Sequence, residues 1–319
     1  MGLPVTVFRS TDEGVPVIQP TKPSDWLKII QACLVDGYGS KQPLGWTLEF
    51  GDLDSLKMVF KNNSADGGSG GAVQIEAHSG SDSNRQHVRF TAANSITALD
   101  TYIEKAGYRT ISTIEQEYYC RGWILVGCGR SFYIRPETGL LKWNSTSSNV
   151  YKYNQCLWIG DVQSFIPNDQ HIFTIVSSGY IGSPSNDSTA NDYRTCQFGA
   201  SGNGVACQLY AADSSGGSAN YLSGAKLKNN SMTSSYSYDP VALGVPADMS
   251  PVVMKHDDYS NVGSPAVRAV IPGLFTTHFL GYWGADTPIV RNFGGIDYEI
   301  IYGLYVANFA VQTSGEWYD

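Results

Sequence analysis

Between Trp46 and Ala93 the chain repeats one pattern four times: a short segment of alternating apolar and polar residues, then a cluster of Gly, Asp, Ser or Asn. The segments are WTLEF (46–50), SLKMVFKN (55–62), AVQIEAH (72–78) and QHVRFTAA (86–93). Alternation sends successive side chains to opposite faces of an extended strand, and the intervening residues suit tight turns, so the pattern predicts an antiparallel meander. Composition pushes the same way. Only 16% of residues are charged, and polarity rests on Ser, Thr, Asn, Gln, 34 glycines and 20 tyrosines, whereas long helices would need Lys and Glu on their exposed faces.

One helix stands out. In DWLKIIQACLV, Trp26, Ile29, Ile30, Cys33 and Leu34 form one apolar stripe, with Ser24 placed as N-cap and Asp25 at the positive helix end. Gly37 or Gly39 is expected to stop it in a left-handed conformation, giving a helix over 24–36. SITALDTYIEKAG (95–107) reads as a second short helix capped by Asn94 or Ser95.

Elsewhere the signals are extended. Val5–Ser10 is an expected first strand; WILVG with RSFYIRP, and QCLWIGDVQSF with HIFTIVSSG, read as hairpins. From Tyr180 to Asp239 Ser, Asn, Gly and Asp dominate, which predicts long surface loops or an insertion with one short strand at VACQLYA. Strands return in AVRAVIPGLF, IDYEIIYGLYVANFAVQT and GEWYD. The expectation is a β-rich α+β fold of antiparallel, sandwich-like sheets with one amphipathic N-terminal helix and long polar loops. Residues 1–179 form an α+β module, 180–239 the loop or insertion, and 240–319 the strands that complete the core.

A net charge of −8 without a basic cluster argues against a nucleic-acid partner, which needs cations to displace phosphate counterions. No apolar run reaches membrane-spanning length, so no membrane partner is expected. The opening MGLPVTVFRSTDEG lacks the basic and apolar regions of a secretory signal. The six cysteines contain no C-x-x-C pair and read as reduced, buried thiols; Cys120 with Cys128, or Cys196 with Cys207, would be the hairpin bridges in an oxidising medium. The sequons at Asn62, Asn144, Asn186 and Asn229 carry no weight without secretion.

Candidate chemistry thins out on inspection. Gly67–Gly71 spells G-x-S-x-G around Ser69, but it lies between two expected strands, whereas a nucleophile elbow leads from a strand into a helix. ACLVDGYGSKQPLGW has the glycines and the lysine of a phosphate loop in the wrong order, helix first, with Lys41 followed by Gln42 and Pro43. In MKHDDYS only His256 and Asp258 would share a side of an extended chain. His78 and His87 would face each other across a hairpin with no third ligand, and Asp52 with Asp54, or Asp161 with Asp169, lack the setting of a glycosidase pair. No catalytic residue, metal site or cofactor is expected. The better-supported surface is aromatic: Tyr180, Tyr193, Tyr210, Tyr221, Tyr236 and Tyr238 fall in Gly/Ser-rich sequence, and tyrosine offers large contact area at low rotamer cost.

Four segments in order, VFRSTDEGVPVI, DWLKIIQACLVDGYGSKQPLGWTLEF, LWIGDVQSFIPNDQHIFTI and RAVIPGLFTTHF, resemble a family of virion structural proteins of tailed bacteriophages. The likeness covers about half the chain. It is weakest over 55–113 and 180–239. It implies a non-enzymatic virion component, made in the bacterial cytoplasm, whose partners are copies of itself and other virion proteins. A neck, collar or tail position is the expectation and capsid decoration comes next; the other alternative is an adsorption module whose Tyr-rich loops bind a host surface glycan.

Overall fold

The structure is a computed structural model that describes residues 2–84, 86–112, 120–138, 155–178, 205–212, 217–223, 249–256, 267–277, 289–301 and 308–319. The chain opens with β1 (Leu3–Pro4) and β2 (Thr6–Arg9), then the helix α1 (Pro23–Gln31). The meander follows: β3 (Thr47–Asp52), β4 (Lys57–Lys61), β5 (Ala72–Ala77), β6 (His87–Ala98) and β7 (Thr101–Ser112). Next come β8 (Cys120–Gly127), β9 (Ser131–Thr138), β10 (Leu157–Asp161), β11 (Gln163–Ser164) and β12 (Phe173–Ser178). The remaining strands are β13 (Val205–Tyr210), β14 (Ser218–Ser223), β15 (Met249–His256), β16 (Val267–Thr277), β17 (Ile289–Phe293), β18 (Ile296–Ile301), β19 (Asn308–Gln312) and β20 (Glu316–Trp317).

The expected meander is present, with β3 to β7 forming a five-stranded sheet in sequence order. The larger sheet runs β17-β18-β19-β16-β15-β14-β13-β12-β10-β9-β8-β2, and every pairing is antiparallel. β11, immediately beyond β10, pairs with β16, so the path from β10 through β12 to β16 returns to its own start. The sheet therefore encloses a core of its own.

Two cores lie on opposite faces of β8, β9, β10 and β12. On β8, Trp123 and Leu125 enter the first core while Ile124 and Val126 enter the second; on β9 Phe132 and Ile134 oppose Tyr133, and on β10 Leu157 and Ile159 oppose Trp158. A strand buried on both faces needs apolar residues at consecutive positions, which is why WILV reads as a continuous run and not as an alternation. The first core is closed by the meander, by α1, whose Trp26, Leu27, Ile29 and Ile30 are fully buried, and by Cys33 and Leu34 of the turn that follows it. The second fills the curled sheet, where the Trp158 indole N–H reaches the carbonyl of Pro272 at 3.1 Å. Both α1 and the π-helical turn that follows it (Ala32–Asp36) are too short to cross a membrane, and no described helix is long and apolar enough to do so.

Three local expectations need correction. Ser24 is not the N-cap: the helix starts one residue earlier, at Pro23, and Ser24 donates its N–H and its hydroxyl to Asp82 at 2.8 and 2.7 Å. Asp25 turns back to accept from the N–H groups of Thr21 (2.9 Å) and Lys22 (3.3 Å). The free N–H groups of the first turn are thus satisfied partly from the β5–β6 connection, a partner invisible to local sequence. Second, residues 95–107 form no helix but the facing ends of β6 and β7. Apolar spacing there fits a helix, yet Thr97, Thr101 and Ile103 are β-branched and pairing with the neighbouring strand decides. Third, the 180–239 segment is not all surface loop: the expected strand at VACQLYA is present as β13, a second strand, β14, pairs with it, and both lie in the interior of the large sheet with Val205, Cys207 and Tyr221 buried.

Gly37 does stop the helix. Its N–H closes on the carbonyl of Ala32 at 2.7 Å, and its φ of 75° with ψ of 173° is a glycine-only conformation, beyond the ordinary left-handed cap. The carbonyls of Cys33 and Leu34 then accept from Leu44 and Trp46 at 2.9 and 3.0 Å, turning the chain toward β3. Gly39, at φ 54°, lies against the carbonyl of Glu13 where a side chain would clash.

Candidate interaction surface

The tyrosines expected to form a surface divide unevenly. Tyr180, Tyr193, Tyr236 and Tyr238 lie outside the described residues. Tyr221 is 1% exposed, its ring edge-on to His256 with centroids 5.4 Å apart, so it belongs to the second core and not to a surface. Tyr210 is half-buried; its carbonyl accepts from Arg268 at 2.9 Å and its hydroxyl donates to the carbonyl of Lys105 at 3.5 Å.

The motifs weighed for chemistry act as seams between layers. Ser69, at the centre of the glycine-rich turn, donates its N–H and hydroxyl to the two carboxylate oxygens of Asp161 at 2.9 and 2.5 Å. Arg130 approaches the same carboxylate at 3.4 Å and stacks over Tyr318 at 4.0 Å, while the Tyr318 hydroxyl donates to the backbone carbonyl of Asp161. Burial raises the pKa of Asp161, and the bonds from Ser69 and Arg130 oppose that rise. Lys41 caps the carbonyl of Val7 at 2.9 Å and lies 3.7 Å from Asp12, so it serves the chain's own backbone. His78 and His87 do face each other, with ring centroids 6.5 Å apart. His256 is buried at the end of β15, and Asp257 and Asp258 lie outside the described residues. No group of three or more His, Cys, Asp or Glu among the described residues has the geometry to hold a metal ion. Cys128 and Cys207 are free thiols, so neither hairpin bridge is formed; burial pushes the Cys207 thiol up to about 12 and Cys33 well above its usual value, which keeps both protonated and unreactive.

The distinctive surface surrounds a buried polar clamp in the β11–β12 turn. The Asp169 carboxylate accepts from Arg268 at 2.8 and 3.0 Å, from the Ser164 hydroxyl at 2.7 Å and from the N–H of His171 at 3.0 Å. Ser164 also accepts from the N–H of Ile166 at 3.1 Å, and the N–H of Phe165 donates to the carbonyl of Arg268 at 2.9 Å. His171 then reaches Glu104 of β7 at 2.6 Å, and Asn94 donates to the same Glu104 oxygen at 2.8 Å. A turn held by this many bonds has little freedom left.

Yet its apolar side chains face water. Phe165 is 56% exposed, and Ile103 and Val267, chain neighbours of the clamp residues Glu104 and Arg268, are 51% and 40% exposed. These are three of the five large apolar side chains most exposed among the described residues. Single exposed apolar residues are ordinary, but an aromatic one on a turn held by so many polar bonds is worth testing as a contact point. Neither Phe165 nor the clamp stands out in the sequence, because Asp169 and Arg268 are 99 positions apart. Comparison with protein-family models, with curated proteins and with solved structures returns no match.

Proposed function

We propose that this chain is a non-enzymatic structural subunit of a tailed-bacteriophage particle that acts by symmetric self-assembly and by contact with neighbouring virion proteins, at the neck, collar or tail. The observation that carries the assembly reading is the turn, fastened by Asp169 and Arg268, that presents the exposed Phe165. An aromatic side chain carried on a backbone already held in place adds little backbone ordering cost to docking, and an aromatic ring has few rotamers to lose. The phage reading rests on the four resembling segments. They also pack in pairs: Asp12 of the first meets Tyr38 of the second at 3.0 Å, and Asp169 of the third meets Arg268 of the fourth. Such pairs make these stretches the fastenings of the fold. Capsid decoration is the neighbouring alternative for location. Of the six tyrosines of the glycan-binding alternative, Tyr221 is buried, Tyr210 is half-buried, and the other four lie outside the described residues.

Sedimentation of the purified chain and of Phe165→Asp tests the assembly reading. The parent is expected to form a closed multimer of fixed stoichiometry. The variant should sediment as a folded monomer, since surface substitutions usually change stability by only about 0.5 kcal/mol. A parent that stays monomeric and is absent from purified particles sinks the proposal, and a variant that assembles like the parent removes Phe165 from it.

A further inference from the structure

The β6–β7 hairpin is longer than the sheet that carries it. β5 follows β6 only as far as the rung Ala72–Ala93, where Ala93 also pairs with Lys105, and beyond it residues 94–104 pair only with each other. This overhang does not project into solvent. It folds back over the outer face of the meander, where Ile96 joins Val59, Ala72 and Ala93 in a small apolar cluster flanked by Phe50, Leu99 and Tyr102. At the tip, Asp100 accepts from Lys57 and from Gln74, both at 2.7 Å, and donates its own N–H to Gln74 at 2.8 Å. At the shoulder, Glu104 is held by His171 and Asn94.

The bend has the features of a hinge. Gly107, at φ 111°, opens it in a conformation reserved for glycine, and the register slips at Ala92/Ala93 and again at Ile96/Ala98. Glu104 at φ 54° and Asp100 at φ 62° are non-glycine residues in the left-handed region, and each is held by a polar contact that fixes its side chain. A two-stranded ribbon is marginal by itself in water, so its closed position depends on these contacts. The tip ion pair is the weak one, exposed to solvent with Lys57 and Asp100 side chains 31% and 55% accessible, whereas His171 and Glu104 are 11% and 23% accessible and form the firmer latch.

We propose that residues 94–104 form a releasable strap, closed over the apolar outer face of the meander by the Asp100–Lys57 and Glu104–His171 contacts and opening about Gly107 as one unit while the rest of the fold stays intact. Opening uncovers Val59, Ala72 and Ala93 and frees a ribbon carrying Ile103. Use of that ribbon between copies of the chain rests on the assembly reading; the strap itself does not.

Hydrogen–deuterium exchange on the isolated chain at a concentration below that of assembly separates the two. In Asp100→Ala/Glu104→Gln the amides of 95–104 should exchange about tenfold faster, the effect of weakening the closed state by ~1.4 kcal/mol, while those of β5 and β8 keep their protection. If the variant does not fold, the parent decides: raising salt from about 0.05 to 0.5 M screens the exposed ion pair and should speed exchange of the strap alone. The proposal is overturned if the strap stays as protected as β5 in the folded variant or throughout the parent's salt series, or if strap and sheet lose protection together. Assembly measured separately by sedimentation leaves either result unchanged.

Discussion

Asp169→Ala tests how the clamp is built. The side chains of Asp169 and Arg268 are each 1% exposed, so the pair has almost no water to fall back on. Removing the carboxylate strips Arg268 of its counter-charge and leaves it the Tyr210 carbonyl; its Nε already has no hydrogen-bond partner among the described residues. The Ser164 hydroxyl and the His171 N–H lose their acceptor in the same step. A buried charge abandoned in this way typically costs about 3–5 kcal/mol. Removing both charges in Asp169→Ala/Arg268→Met should recover part of that loss, by ~1–3 kcal/mol, because no ion is left unpaired. Denaturant unfolding of parent, single and double variants gives the three free energies. A single variant that loses less than about 1 kcal/mol, or a double variant worse than the sum of its parts, would refute the account of the clamp as a desolvated, mutually dependent pair.

Two further outcomes follow from the Ser69 turn and its partner. A Cβ on Gly71 would overlap the Phe173 ring, whereas one on Gly67 meets nothing within 4 Å but must adopt φ 77°. Gly71→Ala should therefore cost several kcal/mol by overpacking, and Gly67→Ala only about 1 kcal/mol of backbone strain; equal thermal shifts would contradict the tight seam. For Asp161, burial raises the folded-state pKa above the unfolded value, so its contribution to stability is complete below the unfolded value and is lost as pH rises through the folded one. Asp161→Asn abolishes that titration. The stability of the parent relative to this variant should fall as pH is raised from the acid range toward neutrality, and a pH-independent difference in denaturation midpoints would show that Asp161 titrates normally.

What the sequence made legible was whatever rests on local chemistry. Alternation in WTLEF, KMVF and AVQIEA located the meander because those strands bury alternate residues against one core. The helix was equally plain from its stripe. Residues 95–107 misled because Ile96, Leu99, Tyr102 and Ala106 have helical spacing, and nothing local reports that Asn94 and Glu104 will face each other across a hairpin. β14 lies in SANYLS, a polar stretch whose place in the sheet rests on ladder pairing with β13 and on the buried Tyr221, neither of which local sequence reports. The exposed surface was sought in tyrosines because tyrosine is a good contact residue. The residues that make Phe165 available are polar ones drawn from β7, β11 and β16, which only the folded chain brings together.

That division also explains how a chain with so few charges uses them. Several buried or half-buried ion pairs sit at seams of the fold: Asp161, paired with Arg130, also receives the glycine turn through Ser69, Glu104–His171 ties the meander to the large sheet, and Asp169–Arg268 fastens the β11–β12 turn to β16. Arg135–Glu299, at 2.5 Å, crosses from β9 to β18, strands far apart along the large sheet. Burial alone would lower the pKa of Arg135, but Glu299, together with Tyr133 and Glu137, outweighs it and holds the guanidinium charged. Apolar faces attract without direction and tolerate sliding, whereas an ion pair stripped of water is favourable in one register and expensive in every other. Hydrophobic burial thus holds the layers together while these pairs select how they dock. A surface turn fastened to two such pairs inherits their precision, which is what the proposed assembly role would ask of it.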